Sequence, residues 1–373
     1  MKITGAVLEA SGATRPYAQS RPISICEVDL ADPGPMEVLI KIEAAGVCHS
    51  DLSVVNGDRP RPLPMLLGHE AAGIVVALGS GVTDLEVGQR VVTVFLPRCG
   101  QCKNCQTNGK LPCSVGTESN GEGSLMGGTQ ALSRDGATVW HHVGVSAFAT
   151  HALLHRNSLV AVERDVPPAV AAVLGCAVLT GGGAVINAGK PQPGDTIAVV
   201  GLGGVGMAAL LVAAAIASEW ESPAKIIGID ANPDKLSVAL ELGATEVYTP
   251  ADIEDLGLRA DVVIEAAGHP RAFETAVRIT APGGSTVTVG LPAPGALASI
   301  DPLGLTAEAR TVIGSYLGSA VPAHDIPKYA QLWRDGRLPV ERLTSSVITL
   351  DQINEAMDAL SDGQTIRQII VFE

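Results

Sequence analysis

Charged side chains are scarce in this 373-residue sequence, 17% in all, against ~25% in an average globular chain. Basic ones are the scarcest: 25 Lys and Arg stand against 39 Asp and Glu, for a formal net charge of −14. There is no basic stripe to collect phosphates, which argues against nucleic acid and anionic membrane as partners. The opening Met1–Val7 segment reads as a strand and lacks the apolar core of an export signal, so a cytoplasmic location is expected. No internal repeat occurs at solenoid periods. Apolar residues (46%) and glycine (42 residues) are plentiful, as in an enzyme with much buried surface and tight turns. The length sets a prior of two or three domains at ~150 residues each, and each half is large enough to bury a core without disulfides.

One stretch imitates a membrane span. Thr196 to Ser218 carries no charge and is long enough to cross a bilayer. Gly201, Gly203, Gly204 and Gly206 split it into a β-branched half and an alanine-rich half, so strand, turn and buried helix is the better reading. The seven cysteines are Cys26, Cys48, Cys99, Cys102, Cys105, Cys113 and Cys176. Without an export signal, metal thiolates explain them better than disulfides do.

Residues 1 to about 113 hold short β-like runs such as Glu37–Ile42 and Gly73–Leu78, punctuated by Gly and Pro. The Gly/Ser/Thr-rich stretch 114–139 lacks periodicity and reads as a long loop. Helical spacing begins after Pro167-Pro168. From 194 to 316, strands at Thr196–Val200, Lys225–Asp230, Glu246–Tyr248, Asp261–Glu265 and Ser285–Val289 alternate with helices at Ala208–Ala217, Pro233–Leu242 and Ala272–Ile279. That alternation predicts an α/β domain with a doubly wound parallel sheet. The tail holds one or two helices and a last strand at Gln368–Phe372.

Gly201-Leu202-Gly203-Gly204-Val205-Gly206 is a G-x-G-x-x-G, a weak signal alone but here placed between an apolar strand and a small-residue helix. Its glycines permit a tight turn and close backbone approach, and the helix N-terminus then faces a pyrophosphate. Asp230 closes the next strand, 24 positions after Gly206. A carboxylate there accepts hydrogen bonds from the adenosine ribose and repels a 2′-phosphate, which favours NAD over NADP.

Cys99, Cys102, Cys105 and Cys113 place four thiolates on one turn-rich segment. A closed tetrahedral zinc site with a structural role suits them; an iron–sulfur cluster uses the same ligand type. A second, dispersed set comprises Cys48 in Cys48-His49-Ser50-Asp51, His69 in Gly68-His69-Glu70, and Cys176. Two thiolates and one imidazole leave a fourth position open on zinc, as catalytic sites do. Glu70 and Asp51 are carboxylates able to orient His69 or tune the metal.

Together these residues resemble the zinc-dependent medium-chain alcohol dehydrogenases. The likeness spans the chain through Gly46–Asp51, Gly68–Gly73, the four-cysteine lobe, Gly175-Cys176, the glycine fingerprint with Asp230, and Thr365-Ile366-Arg367. It implies a GroES-like catalytic domain over 1–177 and 317–373, around a Rossmann NAD-binding domain over 178–316. By the same resemblance, Cys48, His69 and Cys176 hold a catalytic zinc and the other four cysteines a structural one. Ser50 is the hydroxyl that begins proton transfer. His49 and Arg367 face the pyrophosphate and Lys235 the ribose. Gly201, Gly203, Gly204, Val205, Gly206, Asp230, Val289 and Leu291 complete the cofactor site. Phe95, Trp140, Leu291 and Tyr316 form an apolar substrate wall.

The resemblance therefore implies reversible hydride transfer between a primary or secondary alcohol, apolar or aromatic, and NAD, giving an aldehyde or ketone, with two zinc ions per chain. Two positions depart from the pattern. Ser53 stands where better-known members end their proton relay in histidine, and Thr117 where the glutathione-dependent formaldehyde branch carries arginine. Glutathione adducts are disfavoured but stay an alternative, as does a non-catalytic zinc- and NAD-binding member. The long 114–139 segment resembles the dimeric branch, so a homodimer is expected.

Overall fold

The strand Glu37–Val47 is mostly apolar and, apart from Lys41 and Glu43, buried, which suits a central position with neighbours on both sides. In the computed structural model, which describes residues 1–372, it lies inside a seven-stranded sheet. On one side it pairs antiparallel with Ala71–Leu78, with Ala45 opposite Ala71. On the other it pairs with the returning strand Arg367–Val371, with Gln368 opposite Val47. His151–His155 also pairs with its first half. A six-stranded sheet that includes Lys2–Leu8 and Ile23–Leu30 accompanies it. Leu8, Ile40, Ile42, Met65 and Phe148 fill the core of this unit, all fully buried.

Because the returning strand completes this sheet, the first unit is discontinuous in sequence. It comprises Met1–Cys176, Pro322–Ala330 and Thr344–Glu373; the second comprises Ala177–Val321 and Gln331–Leu343. The expected return at 317 is therefore corrected to 322, and 331–343 moves to the second unit. The causes are local. A Cβ on Gly183 would overlap the Gly318 carbonyl oxygen, so these backbones are in direct contact. Arg337 donates to the Ala215 carbonyl at 2.8 Å and pairs with Glu219 at 2.6 Å.

The second unit carries a six-stranded, wholly parallel sheet. Its order is Glu246–Tyr248, Lys225–Ile229, Thr196–Val200, Ala260–Glu265, Thr280–Thr288, Thr311–Gly314. The uncharged run Thr196–Ser218 is strand, turn and the helix Gly204–Ala217. The helix Pro168–Gly189 is also long and apolar enough to cross a membrane, but 89% of its most apolar window is buried within the protein.

The stretch 114–139 is not a long loop. It contains the helix Ser114–Glu122 and the strands Leu132–Arg134 and Ala137–Thr138. The helix has no apolar stripe to read. It is held instead by Cys113, whose sulfur accepts the Gly116 N–H, and by Asn120, whose amide donates to the Phe95 carbonyl at 2.6 Å. The strands Thr311–Gly314 and Thr344–Ile348 also escape the sequence reading, being short, partly exposed edge strands.

The helix Ile353–Ser361, which leads to the returning strand, is tied to the N-terminal sheet by one side chain. Asn354, 1% exposed, accepts the Ile23 N–H at 3.3 Å and donates to the Ile23 carbonyl at 2.9 Å. Replacing it with Ala leaves both backbone groups buried without a partner. The Asn354→Ala variant is expected to lose about 1–3 kcal/mol, read from the urea midpoint; an unchanged midpoint would refute this role for Asn354.

Candidate active site

The double pairing of Glu37–Val47 brings distant residues to one end of the sheet. Cys48 follows its last residue, Glu70 precedes its neighbour strand, and Arg367 opens the returning strand. Cys176 arrives on the π-helical stretch Leu174–Val178, a local widening frequent at functional sites. Gly175 is needed there because a Cβ would overlap the Thr93 carbonyl oxygen. The ligand atoms of Cys48, His69, Glu70 and Cys176 all lie within 4.8 Å of one another and all four residues are buried. Cys176 Sγ is 3.4 Å from His69 Nε2.

Asp51 organises this cluster from the first turn of the helix His49–Val55. Its carboxylate, fully buried, accepts the Cys48 N–H at 3.2 Å and the Gly68 N–H at 3.2 Å, and meets His69 Nδ1 at 3.0 Å. One side chain therefore fixes both ligand-bearing segments and leaves His69 Nε2 turned to the sulfurs. His142 Nδ1 also stands 3.1 Å from Asp51, at ion-pair distance but not aligned for a hydrogen bond.

Burial pulls the His69 imidazole towards neutrality, yet the Asp51 carboxylate outweighs it and raises the ring well above its usual range. Asp51 itself is held low: burial raises it, and His69 and His142 more than compensate. The Cys176 thiol, as a hydrogen-bond donor, holds Cys48 well below the usual thiol range, and the Arg367 guanidinium adds to that. Burial pushes Glu70 up to about 7 against the pull of Arg367. Arg367 Nη1 is 3.3 Å from Glu70 and donates to the Val47 carbonyl at 3.0 Å. Among the described residues, neither Glu70 oxygen has a hydrogen-bond partner. Two thiols, an imidazole and an orphaned carboxylate around one buried point fit a zinc ion in chemistry and in reach.

The four-cysteine lobe is equally well formed. All four sulfurs lie within 4.8 Å of one another. The 3.9 Å spacings of Cys99 to Cys105 and Cys102 to Cys113 are far from the ~2.05 Å of a disulfide. Backbone N–H groups of Cys99, Cys102 and Cys105 point at sulfurs at 3.4 Å. Ser114 and the Cys105 N–H bring Cys102 down to about 5, which favours the thiolate that metals bind.

In the second unit the glycine turn leaves room where a pyrophosphate needs it. Gly201 has φ +92°, and a Cβ there would lie 2.5 Å from the Ala267 nitrogen. A Cβ on Gly206 would overlap the Gly201 carbonyl oxygen, whereas one on Gly203 would meet nothing within 4 Å. Gly203 opens the helix Gly204–Ala217 without a side-chain cap, so the first N–H groups stay available. Asp230 accepts the Leu202 N–H at 2.7 Å and the Asn232 N–H at 2.8 Å, which fixes it beside the turn. This cradle fits a dinucleotide.

The comparisons follow the same division. An alcohol dehydrogenase GroES-like domain matches residues 34–164, and a zinc-binding dehydrogenase domain matches 204–334. The chain is 34% identical to an alcohol dehydrogenase zinc-binding domain protein from Burkholderia ambifaria, covering 100% of this chain and 99% of that one, with a TM-score of 0.90. It is 33% identical to benzyl alcohol dehydrogenase from Acinetobacter calcoaceticus, with both chains covered at 100% and a TM-score of 0.89. The chain belongs to the zinc-binding, medium-chain alcohol dehydrogenase family. A cobalt- and zinc-bound thermostable alcohol dehydrogenase from Pyrobaculum aerophilum is 25% identical, again with 100% of each chain covered and a TM-score of 0.80.

Within this dehydrogenase the remaining expected residues fall as follows. Ser50 is half-buried, 4.0 Å from Cys48 Sγ, and His49 beside it is exposed. Ser53 directs its hydroxyl to the His49 carbonyl at 2.8 Å. Phe95 stands edge-on to His69 with centroids 5.5 Å apart, and both Phe95 and Trp140 pack on the core of the first unit. Lys235, Val205, Val289, Leu291 and Tyr316 belong to the second unit. Lys235, Val205 and Val289 are half-buried, while Leu291 and Tyr316 are exposed. Arg367, expected towards a pyrophosphate, is 3% exposed and its visible partners are Glu70 and Val47.

Two residues escape the sequence reading: His142 beside Asp51 and Glu265 in the second unit; Gly46, legible only as part of the Gly46–Asp51 stretch, stands where a Cβ would lie 2.9 Å from Glu70 Cδ. The His141-His142 pair was the one available signal, and only its second ring reaches the site.

The glycine turn separates fit from fold. A Gly203→Ala variant should keep its melting temperature within about 2 °C yet bind NADH at least ~10-fold more weakly, because its methyl fills the cradle without a clash. Gly206→Ala should lower stability by about 1–3 kcal/mol through the overlap with Gly201. Dye-monitored melting and NADH fluorescence titration distinguish them; a Gly203→Ala protein with unchanged affinity would refute the cradle.

Proposed function

We propose that this enzyme oxidises an apolar or aromatic alcohol to its aldehyde or ketone, reversibly, with NAD and two zinc ions per chain. The observation that carries the reading is the buried convergence of Cys48, His69 and Cys176 beside the Ser50 hydroxyl. Zinc bound by those three residues supplies a Lewis acid that lowers the pKa of an alcohol, and NAD supplies the hydride acceptor. Cys99, Cys102, Cys105 and Cys113 would hold the second ion, a closed set with a structural task.

The protein's own groups do the rest. Asp51 holds His69 by its Nδ1 side, so that Nε2 is aimed in a fixed direction and would bind a metal ion there on losing its proton. Arg367, buried beside Glu70, offsets part of the negative charge of two thiolates. Ser50 takes the alcohol proton, and His49, exposed next to it, passes that proton on. Ser53 is the poorer outlet because its hydrogen is committed to the His49 carbonyl. Asp230, fixed by two N–H donors beside the glycine turn, receives the adenosine ribose and repels a 2′-phosphate. The edge-on Phe95 ring, with Trp140, supports an apolar or aromatic alcohol, as does the similarity to benzyl alcohol dehydrogenase. The free thiols suit a reducing compartment, which supports a cytoplasmic location.

The test mixes the zinc-loaded protein with NAD and a panel of primary, secondary and benzylic alcohols. NADH absorbance should rise, most with the apolar and benzylic alcohols, and a strong chelator should abolish the rise. Metal analysis should return two zinc ions per chain. Absence of NADH with every alcohol, and with formaldehyde plus glutathione, would sink the reading in favour of a non-catalytic zinc protein.

We further propose a homodimer. Thr311–Gly314 is an edge strand of the parallel sheet with Val312 exposed, and Leu297 and Leu303 before it are 88% and 75% exposed. An edge of this kind is a template for pairing with a second copy. Sedimentation at micromolar concentration should give twice the chain mass, 38.1 kDa each; a monomer would overturn the assignment.

A further inference from the structure

Glu265, the last residue of the Ala260–Glu265 strand, is 1% exposed and holds two loops at once. Its Oε1 accepts the N–H groups of Ala267 at 2.9 Å and Gly268 at 2.7 Å. Its Oε2 accepts the Thr288 hydroxyl at 2.7 Å. Its own carbonyl accepts the N–H groups of Val289 at 2.9 Å and Gly290 at 3.2 Å. One residue thus ties the segment after its own strand to the segment after the neighbouring strand.

The two segments touch closely. A Cβ on Gly268, at φ +66°, would lie 2.8 Å from the Leu291 nitrogen, and one on Gly290 would lie 2.9 Å from Glu265 Oε1. The Gly201 turn presses on the same place, because the atom its missing Cβ would meet first is the Ala267 nitrogen. Ala266 N–H also donates to the Val200 carbonyl at 2.8 Å.

This is where the sheet changes direction. From Thr196–Val200 the chain builds outward to Lys225–Ile229 on one side, then returns to Ala260–Glu265 on the other. In such sheets a dinucleotide lies across the carboxyl ends of the strands at that switch point, one nucleotide per half. Asp230 closes Lys225–Ile229 and marks the adenosine half. The segments bound by Glu265 therefore face the other nucleotide.

We propose that Glu265 is a positioning residue for the nicotinamide half of the cofactor. It sets the spacing of segments 266–268 and 288–291 from beneath, with no surface of its own to offer a ligand. The proposal rests on the reading of NAD as cofactor. A purely architectural role would stabilise the sheet but would not separate the two halves of the ligand.

The experiment compares full-length wild type with Glu265→Ala and Glu265→Gln, titrated with NADH and with ADP, which carries only the adenosine half. Losing the partner of two part-buried N–H groups and a hydroxyl should weaken NADH binding at least ~10-fold in Glu265→Ala, with ADP affinity within about 2-fold. Glutamine keeps an acceptor for Ala267 and Gly268 and a polar group for Thr288, so Glu265→Gln should restore NADH affinity to within about 3-fold. If Glu265→Ala does not fold, Thr288→Val reads the same split on a smaller scale, about 3-fold for NADH alone. Equal losses of NADH and ADP, or no loss of either, would overturn the proposal. Wild-type protein that binds neither ligand would overturn the cofactor reading itself, before any substitution enters.

Discussion

The antiparallel pairing of Glu37–Val47 with Ala71–Leu78 and with Arg367–Val371 is the constraint on which the candidate zinc site depends. It brings Cys48, Glu70 and Arg367 to one sheet end although Val47 and Arg367 are 320 positions apart in sequence. A slip of one residue in either pairing would turn alternate side chains to the opposite face and dismantle the cluster. Asp51 then converts a rough convergence into a fixed one by accepting from both ligand-bearing segments. Sheet register supplies proximity; one buried carboxylate supplies orientation.

The electrostatics follow from that placement. Taking several ionisable groups out of water is costly unless they compensate one another. Here Asp51 faces two imidazoles and Glu70 faces Arg367. What is left is the pair of sulfurs, and a Glu70 carboxylate that has the Arg367 charge nearby but, among the described residues, no hydrogen-bond donor. A divalent cation answers that remainder. Gly46 belongs to the same arrangement, since any side chain at that position would press on Glu70.

Much of this was legible in the sequence wherever a short pattern coincides with a physical unit. The glycine fingerprint was legible because turn, helix start and neighbouring strand all lie within about thirty residues. The lobe cysteines were legible because their chelate closes inside fifteen positions. Four parallel strands are legible to within a residue at each end; in three of them an apolar run is buried on both faces, while Glu246–Tyr248 is a half-buried edge strand. The helix Ser114–Glu122 was not legible, since polar bonds rather than an apolar stripe hold it. His142 and Glu265 were hidden for a different reason. Each acts through a backbone or carboxylate partner that only the folded chain brings near. The returning 331–343 segment was misplaced because its contacts, Arg337 with Ala215 and Glu219, span more than a hundred residues.

The late position of Arg367–Val371 also fixes the order of events during synthesis. The six strands of the second unit have all left the ribosome by Gly314, whereas the sheet that carries Cys48 still lacks its returning strand. At ~5–20 residues per second, the interval between emergence of Val47 and of Arg367 is roughly 16–64 s. Throughout that time the Ala44–Val47 end of the strand lacks its partner on one side, and Cys48 and Glu70 lack the guanidinium that later lies beside them. The nascent chain must therefore keep an incomplete, sulfur-bearing sheet from capturing metal or aggregating until its last strand arrives. The parallel sheet thus has all its strands before the sheet that begins the sequence does.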